Sequence, residues 1–154
     1  MINFVDTSSK TLFMEETWII DILPQRVPKD SPGQYFRIDD YLIQPERMSL
    51  LAGKFSNFML KLNCYYEIRF SFDGEEYGEA NPEPVTYVGW ISECLTGEKA
   101  EGSYLQIAIE PGNAILSISR DDTYMVLRNP SEDLLSLAKD IASSEGLFIW
   151  KAEE

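Results

Sequence analysis

The hydrophobic pattern of this chain changes its period just after residue 62, and that change limits the fold more than any other feature. Across residues 45–62, large apolar side chains recur at steps of three and four, which places them on one face of a helix. Across residues 65–72, apolar and polar residues alternate instead, as in a strand with one apolar face. The sequence therefore predicts a domain that contains both helices and a sheet.

Most of the remaining chain is expected to form a mainly antiparallel sheet of about six to eight strands. Short apolar segments are separated by tight polar connections, which is typical of consecutive antiparallel strands. The strand-like segments are a short run at 2–5, the β-branched cluster near Ile19, and residues 34–43, 65–72, 85–95, 104–109, 114–119, 124–127 and 147–150. Asp73-Gly74 is a hairpin-type turn signal. Residues 110–113 are expected to connect two paired strands.

A second helix is marked at both ends. Ser131 is a good N-cap, and two acidic residues follow it in the first turn, where the helix dipole favours them. Gly146 stands in the position that commonly ends a helix. The two amphipathic helices are therefore predicted at about 45–62 and 131–145. Because repeats, low-complexity tracts and linkers are absent from the sequence, residues 1–154 are predicted to form a single α+β domain.

Charge is the second strong constraint on this chain. It has 26 Asp and Glu residues against 13 Lys and Arg, a formal net charge of −13, and no histidine. From Glu67 to Glu110 there are ten acidic residues and two basic ones. A negative field of this kind repels nucleic acid and anionic membranes and attracts basic partners. We therefore expect a basic protein partner, no direct binding of nucleic acid and no association with membranes.

The absences in the sequence favour a protein without catalytic chemistry. Lack of histidine removes the commonest general base and the commonest metal ligand, and it rules out a Ser-His-Asp site. Glycine-rich loops that cradle phosphates are also missing. We expect no enzymatic activity, no metal and no cofactor. Cys64 and Cys94 fall in strand-like segments and are expected to be buried thiols, although the spacing leaves a disulfide open.

Aromatic residues lie among the carboxylates of the acidic stretch, and together they suggest a binding surface. They are Tyr65, Tyr66, Tyr77, Tyr87, Trp90 and Tyr104. Such a surface can engage Lys and Arg through ion pairs and cation–π contacts, and it speeds the capture of a cationic protein. The partner-binding residues are expected to be Glu75, Glu76, Tyr77, Glu79, Glu83, Glu98 and Glu101. The simpler interpretation is that these charges only keep the protein soluble and protect the sheet edges.

Three C-terminal segments resemble the end of small bacterial immunity-type proteins encoded beside polymorphic toxins. The segments are residues 119–125, 129–135 and 145–150. The resemblance implies a cytoplasmic binding protein that neutralises a cognate toxin. A nuclease would be a suitable basic partner, because nucleases must bind phosphate. The N-terminus lacks the features of a signal peptide, which also favours the cytoplasm. Three alternatives remain: an acidic DNA mimic, a small ligand-binding or enzymatic domain with a carboxylate site, and a structural subunit of a larger assembly.

Overall fold

A computed structural model describes residues 16–152 of this chain. Along the chain these residues form β1 (Thr17–Asp21), α1 (Tyr35–Leu42), α2 (Pro45–Asn63), β2 (Glu67–Ser71), α3 (Pro84–Thr96), β3 (Tyr104–Glu110), β4 (Ala114–Ser119), β5 (Tyr124–Arg128), α4 (Glu132–Ser144) and β6 (Phe148–Lys151). The strands form one antiparallel sheet in the order β2-β3-β4-β5-β1-β6. The predicted α+β class is confirmed, and six strands agree with the predicted range. The apolar run at residues 2–5 lies outside the described residues.

Both predicted helices form close to their expected bounds. In α2, Pro45 occupies the first turn, where its missing amide proton costs nothing, and the predicted apolar stripe is buried. In α4, the Ser131 hydroxyl accepts a hydrogen bond from the amide of Leu134 at 3.1 Å, as expected of an N-cap. The connection at residues 110–113 joins β3 to β4 as predicted. These features depend on local signals, and the local signals agree with the tertiary structure.

The predicted strand at residues 85–95 is wrong, because this segment forms α3. The buried residues of α3 include Tyr87, Ile91 and Cys94, which are spaced by four and three positions and so share one helical face. Pro84 lies at its first turn, where its fixed backbone angle suits a helix. The high content of β-branched and aromatic residues suggested a strand, but burial against α2 and the sheet decides the outcome.

The strand-like interpretation of residues 34–43 is also wrong, because α1 occupies this segment. Tyr35, Ile38 and Leu42 follow one another at helical steps of three and four. None of the α1 residues is buried, and Phe36 is 80% exposed. Packing against the rest of the domain therefore contributes less to α1 than to the other helices.

The main core lies between one face of the sheet and helices α2, α3 and α4. Ile20, Ile107 and Leu127 are among the strand residues that point into it. Because successive strand residues point to opposite faces, the intervening residues form a second, outer face. Ile19, Asp21, Tyr104, Gln106, Ser117 and Tyr124 belong to this outer face.

Candidate functional site

One end of the sheet gathers connections that are far apart in sequence. Ser71 at the end of β2 pairs with Gln106, and Tyr104 at the start of β3 pairs with Ser119 at the end of β4. Segments 72–76, 97–103 and 120–123 therefore leave the sheet at the same end. Their acidic residues are Asp73, Glu75, Glu76, Glu98, Glu101, Asp121 and Asp122, against two basic residues, Lys99 and Arg120. We call these three segments the acidic end.

All three nitrogens of the Arg120 guanidinium donate hydrogen bonds within the protein. Its Nε donates to the carbonyl oxygen of Cys94 at 2.9 Å, and one Nη donates to that of Glu93 at 2.9 Å. The other Nη donates to the carbonyl oxygen of Lys99. These carbonyls belong to the last turn of α3 and the connection after it. The positive charge of Arg120 also interacts favourably with the negative end of the helix dipole there. Arg120 thus holds segment 97–103 in place while its donors are used internally.

Hydrogen bonds to the Asp73 carboxylate hold the turn that carries Glu75 and Glu76. The Asp73 carboxylate accepts hydrogen bonds from the amides of Glu75 at 2.8 Å and Glu76 at 3.0 Å, and from the Ser71 hydroxyl at 2.9 Å. These bonds lower the pKa of Asp73, with the Glu75 amide contributing most. Gly74 has a φ of +79°, a conformation that L side chains rarely adopt. The backbone of this turn is therefore well defined, and both glutamate side chains are exposed.

The predicted hairpin after Asp73-Gly74 forms only in part. The chain turns back there and runs beside the edge strand β2, where the amide of Gly78 donates to the carbonyl of Phe70 at 2.9 Å. Farther along, the amide of Asn81 donates to the carbonyl of Ile68 at 2.7 Å. This segment is not a strand, but it occupies hydrogen-bonding groups on the β2 edge that would otherwise be open to another chain.

The structure brings together only some of the predicted partner-binding residues. Glu75, Glu76, Glu98 and Glu101 are all exposed on the acidic end. Glu79 lies on the segment that covers β2. Glu83 is the N-cap of α3, which begins beside Ile68 and ends beside Arg120, so Glu83 lies at the opposite end of the sheet. The seven residues of β3 separate the two ends by about 20 Å.

The predicted aromatic surface is wrong for Tyr87, and its other members differ in exposure. Tyr87 is fully buried, and its hydroxyl donates to the side-chain oxygen of Asn63 at 3.1 Å. Trp90 packs against Phe70 and is part of the core margin. Tyr77, by contrast, is half-buried on the outer face; burial raises its pKa, Tyr104 raises it further, and a hydrogen bond with Gln106 opposes the change. Tyr65 is 69% exposed and Tyr66 is half-buried.

Four acidic residues outside the predicted partner-binding set also belong to this negative region: Asp39, Asp40, Asp121 and Asp122. Burial raises the pKa of Asp122, and the charges of Asp121 and Asp39 raise it further. Burial and then Asp40 raise the pKa of Asp39, while a hydrogen bond with Thr123 opposes them. The pairs Asp39-Asp40 and Asp121-Asp122 are far apart in the sequence, and the doubled acids are the only local signal of either pair. Their proximity depends on where α1 lies, and the prediction for α1 was wrong.

A cavity of about 590 Å³ opens beside Asp21. The Asp21 side chain lies on the outer face of the sheet and only 7% of the residue is exposed. Burial raises the pKa of Asp21; the amides of Leu23 and Ile22 oppose this, and Asp39 adds to it. The walls include Tyr35, Phe36, Tyr124 and Trp150, and the lining also contains Arg26 and Lys29.

Comparisons of the chain with protein-family models, with curated proteins and with solved structures found no significant match. Any inference about function therefore depends on the acidic end and the Asp21 cavity.

The described residues offer few metal-binding or reactive groups. Within residues 16–152, no three acidic or cysteine side chains are arranged to hold a metal ion. No helix in this part of the chain is long and apolar enough to cross a membrane. Cys64 and Cys94 are both free thiols; Cys64 is the C-cap of α2 and Cys94 lies in α3, so the strand prediction is wrong for both. Cys94 is buried as expected, and burial raises its pKa to about 11 despite the opposing charge of Arg120. Cys64 is exposed, contrary to expectation.

Proposed function

We propose that this protein is a non-enzymatic binding protein that neutralises a cationic protein partner, in the manner of an immunity or inhibitor protein. The observation that carries this proposal is the acidic end, where three connections bring seven acidic residues to one end of the sheet. Only two basic residues accompany them, and the donors of Arg120 are bound to backbone carbonyls. A concentrated negative surface of this kind attracts a positively charged surface and speeds encounter.

The loops of the acidic end are held in place before binding, which supports a recognition role. Asp73 fixes the turn bearing Glu75 and Glu76, and Arg120 fixes the connection bearing Glu98 and Glu101. Loops that are already ordered lose less conformational entropy when a partner binds. The negative field can therefore contribute to affinity with little cost for ordering the loops.

The resemblance of the C-terminal segments to immunity-type proteins agrees with this chemistry. Segment 119–125 contributes Asp121 and Asp122 to the acidic end. A toxin that acts on nucleic acid presents a basic surface, because it must bind phosphate. We therefore propose a bacterial toxin, a nuclease in particular, as the partner, and the cytoplasm as the place of action.

Charge reversal tests this proposal, with the product of the gene next to the one that encodes this chain as the candidate partner, because immunity-type proteins are encoded beside their toxins. We expect Glu75→Lys together with Glu76→Lys to raise the Kd at least tenfold and to make binding less sensitive to salt. Glu79→Lys with Glu83→Lys is the matched control, because these two glutamates lie on the same connection but away from the acidic end. Equal effects of the two pairs, or no effect of either pair on affinity and salt dependence, would reject the acidic end as the binding surface.

The same complex distinguishes an acidic DNA mimic from an inhibitor that binds elsewhere on its target. A DNA mimic occupies the nucleic-acid site of its target, so duplex DNA should compete with this protein for the partner. Binding that is unaffected by saturating DNA would exclude the mimic and retain the inhibitor. The alternative of a ligand-binding domain with a carboxylate site concerns the Asp21 cavity.

A further inference from the structure

We propose that the Asp21 cavity is a binding site for an alkylammonium or guanidinium group carried on a short apolar stem. This site is separate from the predicted partner-binding residues, which lie on the β2–α3 and α3–β3 connections. The cavity lies instead against β1, β5 and β6, toward the edge of the sheet opposite β2. The cavity adjoins segment 120–123 of the acidic end at Tyr124, but the proposal does not rest on the inhibitor function, because small probes test it without a protein partner.

Asp21 is a buried carboxylate in the lining of this cavity. More than nine-tenths of the residue is buried, yet among residues 16–152 no ion pair includes its carboxylate. Its polar neighbours are the backbone amides of Ile22 and Leu23. A buried carboxylate without a cationic partner is unfavourable, and a ligand cation in the cavity would remove that cost. Asp21 lines the cavity, so such a ligand has access to it.

The walls of the cavity include four aromatic residues. Tyr35, Phe36, Tyr124 and Trp150 provide aromatic surface, which suits both an apolar stem and a cation held over a ring. The indole nitrogen of Trp150 donates to the carbonyl oxygen of Leu23 at 3.2 Å, which fixes the orientation of this ring. A volume of about 590 Å³ falls within the range of small-molecule sites. The walls and the carboxylate together match an amphipathic cation.

Other charged groups also lie near Asp21. Asp39 acts on Asp21 with the same sign, and Asp122 acts on the neighbouring Tyr124. Arg26 and Lys29 line the cavity too, but both are exposed, so solvent and salt screen their charges. The least screened charge in the cavity is the Asp21 carboxylate. The geometry therefore favours a cation over an anion.

Three probes with the same stem and different head groups test the proposal on the full chain. We expect n-hexylammonium to bind at least tenfold more tightly than hexan-1-ol or hexanoate, measured by protein NMR, including the indole N–H resonance of Trp150. Asp21→Asn should abolish the preference for the ammonium, whereas Asp30→Asn, which removes an exposed charge nearby, should retain it. Equal binding of the alcohol, tighter binding of hexanoate, or an unchanged preference in Asp21→Asn would overturn the proposal.

Two further measurements keep this test decisive. Phe36→Ala alters a wall residue that is 80% exposed, so the domain should fold normally while hexylammonium binds more weakly. The peptide acetyl-Gly-Lys-Gly-amide, compared with its norleucine equivalent, distinguishes the source of the cation. Tighter binding of the lysine peptide would support a side chain of a protein partner. Binding of hexylammonium without the lysine peptide would support a free small amine.

Discussion

Asp21 and Tyr124 lie directly opposite each other in the ladder between β1 and β5, on the outer face of the sheet. Burial is the main cause of a raised pKa in both residues, and negative neighbours raise both further. The ionised Asp21 carboxylate is therefore held where water stabilises it poorly. This pair forms the floor of the cavity that we propose as a cation site.

The raised pKa of Asp21 predicts how stability depends on pH. The unfolded carboxyl ionises near its ordinary value of 3.8 and the folded one at higher pH, so between these values the folded state binds more protons. Stability from this group is therefore lost as pH rises through the window above 3.8. We expect Asp21→Asn to raise the free energy of unfolding at pH 7, and the gain to disappear below pH 3.8. Urea titrations at several pH values measure this difference, and a loss of stability at pH 7 would contradict it.

The two cysteines should differ sharply in reactivity. Cys64 is exposed, whereas Cys94 is buried with a pKa of about 11. Because the thiolate is the reactive form, one thiol per folded chain should react with an aromatic disulfide reagent at pH 8. The second should react only after denaturation, and Cys64→Ser should leave no fast-reacting thiol. Two fast thiols in the native protein would show that Cys94 is accessible.

Loss of the Arg120 guanidinium should destabilise the protein strongly. Arg120→Ala removes three charged donors and leaves the carbonyls of Cys94, Glu93 and Lys99 without them, and the bond to Cys94 is the partly buried one. We expect a loss of about 2–3 kcal/mol in the free energy of unfolding. The exposed Arg37 of α1 provides the control, since Arg37→Ala should change stability by less than about 0.5 kcal/mol. Chemical denaturation of both variants decides the matter, and equal effects would contradict the role assigned to Arg120.

Two glycine substitutions should have opposite signs. Gly74 has a φ of +79°, and an added Cβ would approach the side-chain oxygen of Gln106 to 2.8 Å. Gly74→Ala should therefore lower stability by about 1 kcal/mol or more. Gly53 lies in α2, where an added Cβ meets nothing within 4 Å, so Gly53→Ala should raise stability by up to about 1 kcal/mol. Thermal melting of the two variants tests both signs.

The Gly74 substitution also connects the fold to the proposed function. It should weaken partner binding even though it removes no charge, because it disturbs the turn that orients Glu75 and Glu76. Gly53→Ala should leave binding unchanged. If both variants bound the partner like the original protein, the defined geometry of this turn would not matter for recognition.

Much of the fold could be predicted because its signals are local. The stripe of α2, the Ser131 cap of α4 and the turn between β3 and β4 depend on residues that are close in sequence. The errors at α1 and α3 have a different origin. Their β-branched and aromatic residues favour strands, and burial of one helical face of α3 against α2 overrode that preference.

The sequence alone determined the α+β class, the negative charge and the concentration of carboxylates between Glu67 and Glu110. The tertiary structure decided which of those carboxylates meet. Register and strand order bring residues 72–76, 97–103 and 120–123 to one end of the sheet, while Glu83 lies at the other. The same topology places Asp21 in a cavity with Tyr35 and Trp150. Charge and helical period are properties of the chain, but proximity depends on long-range strand pairing, which no short segment encodes.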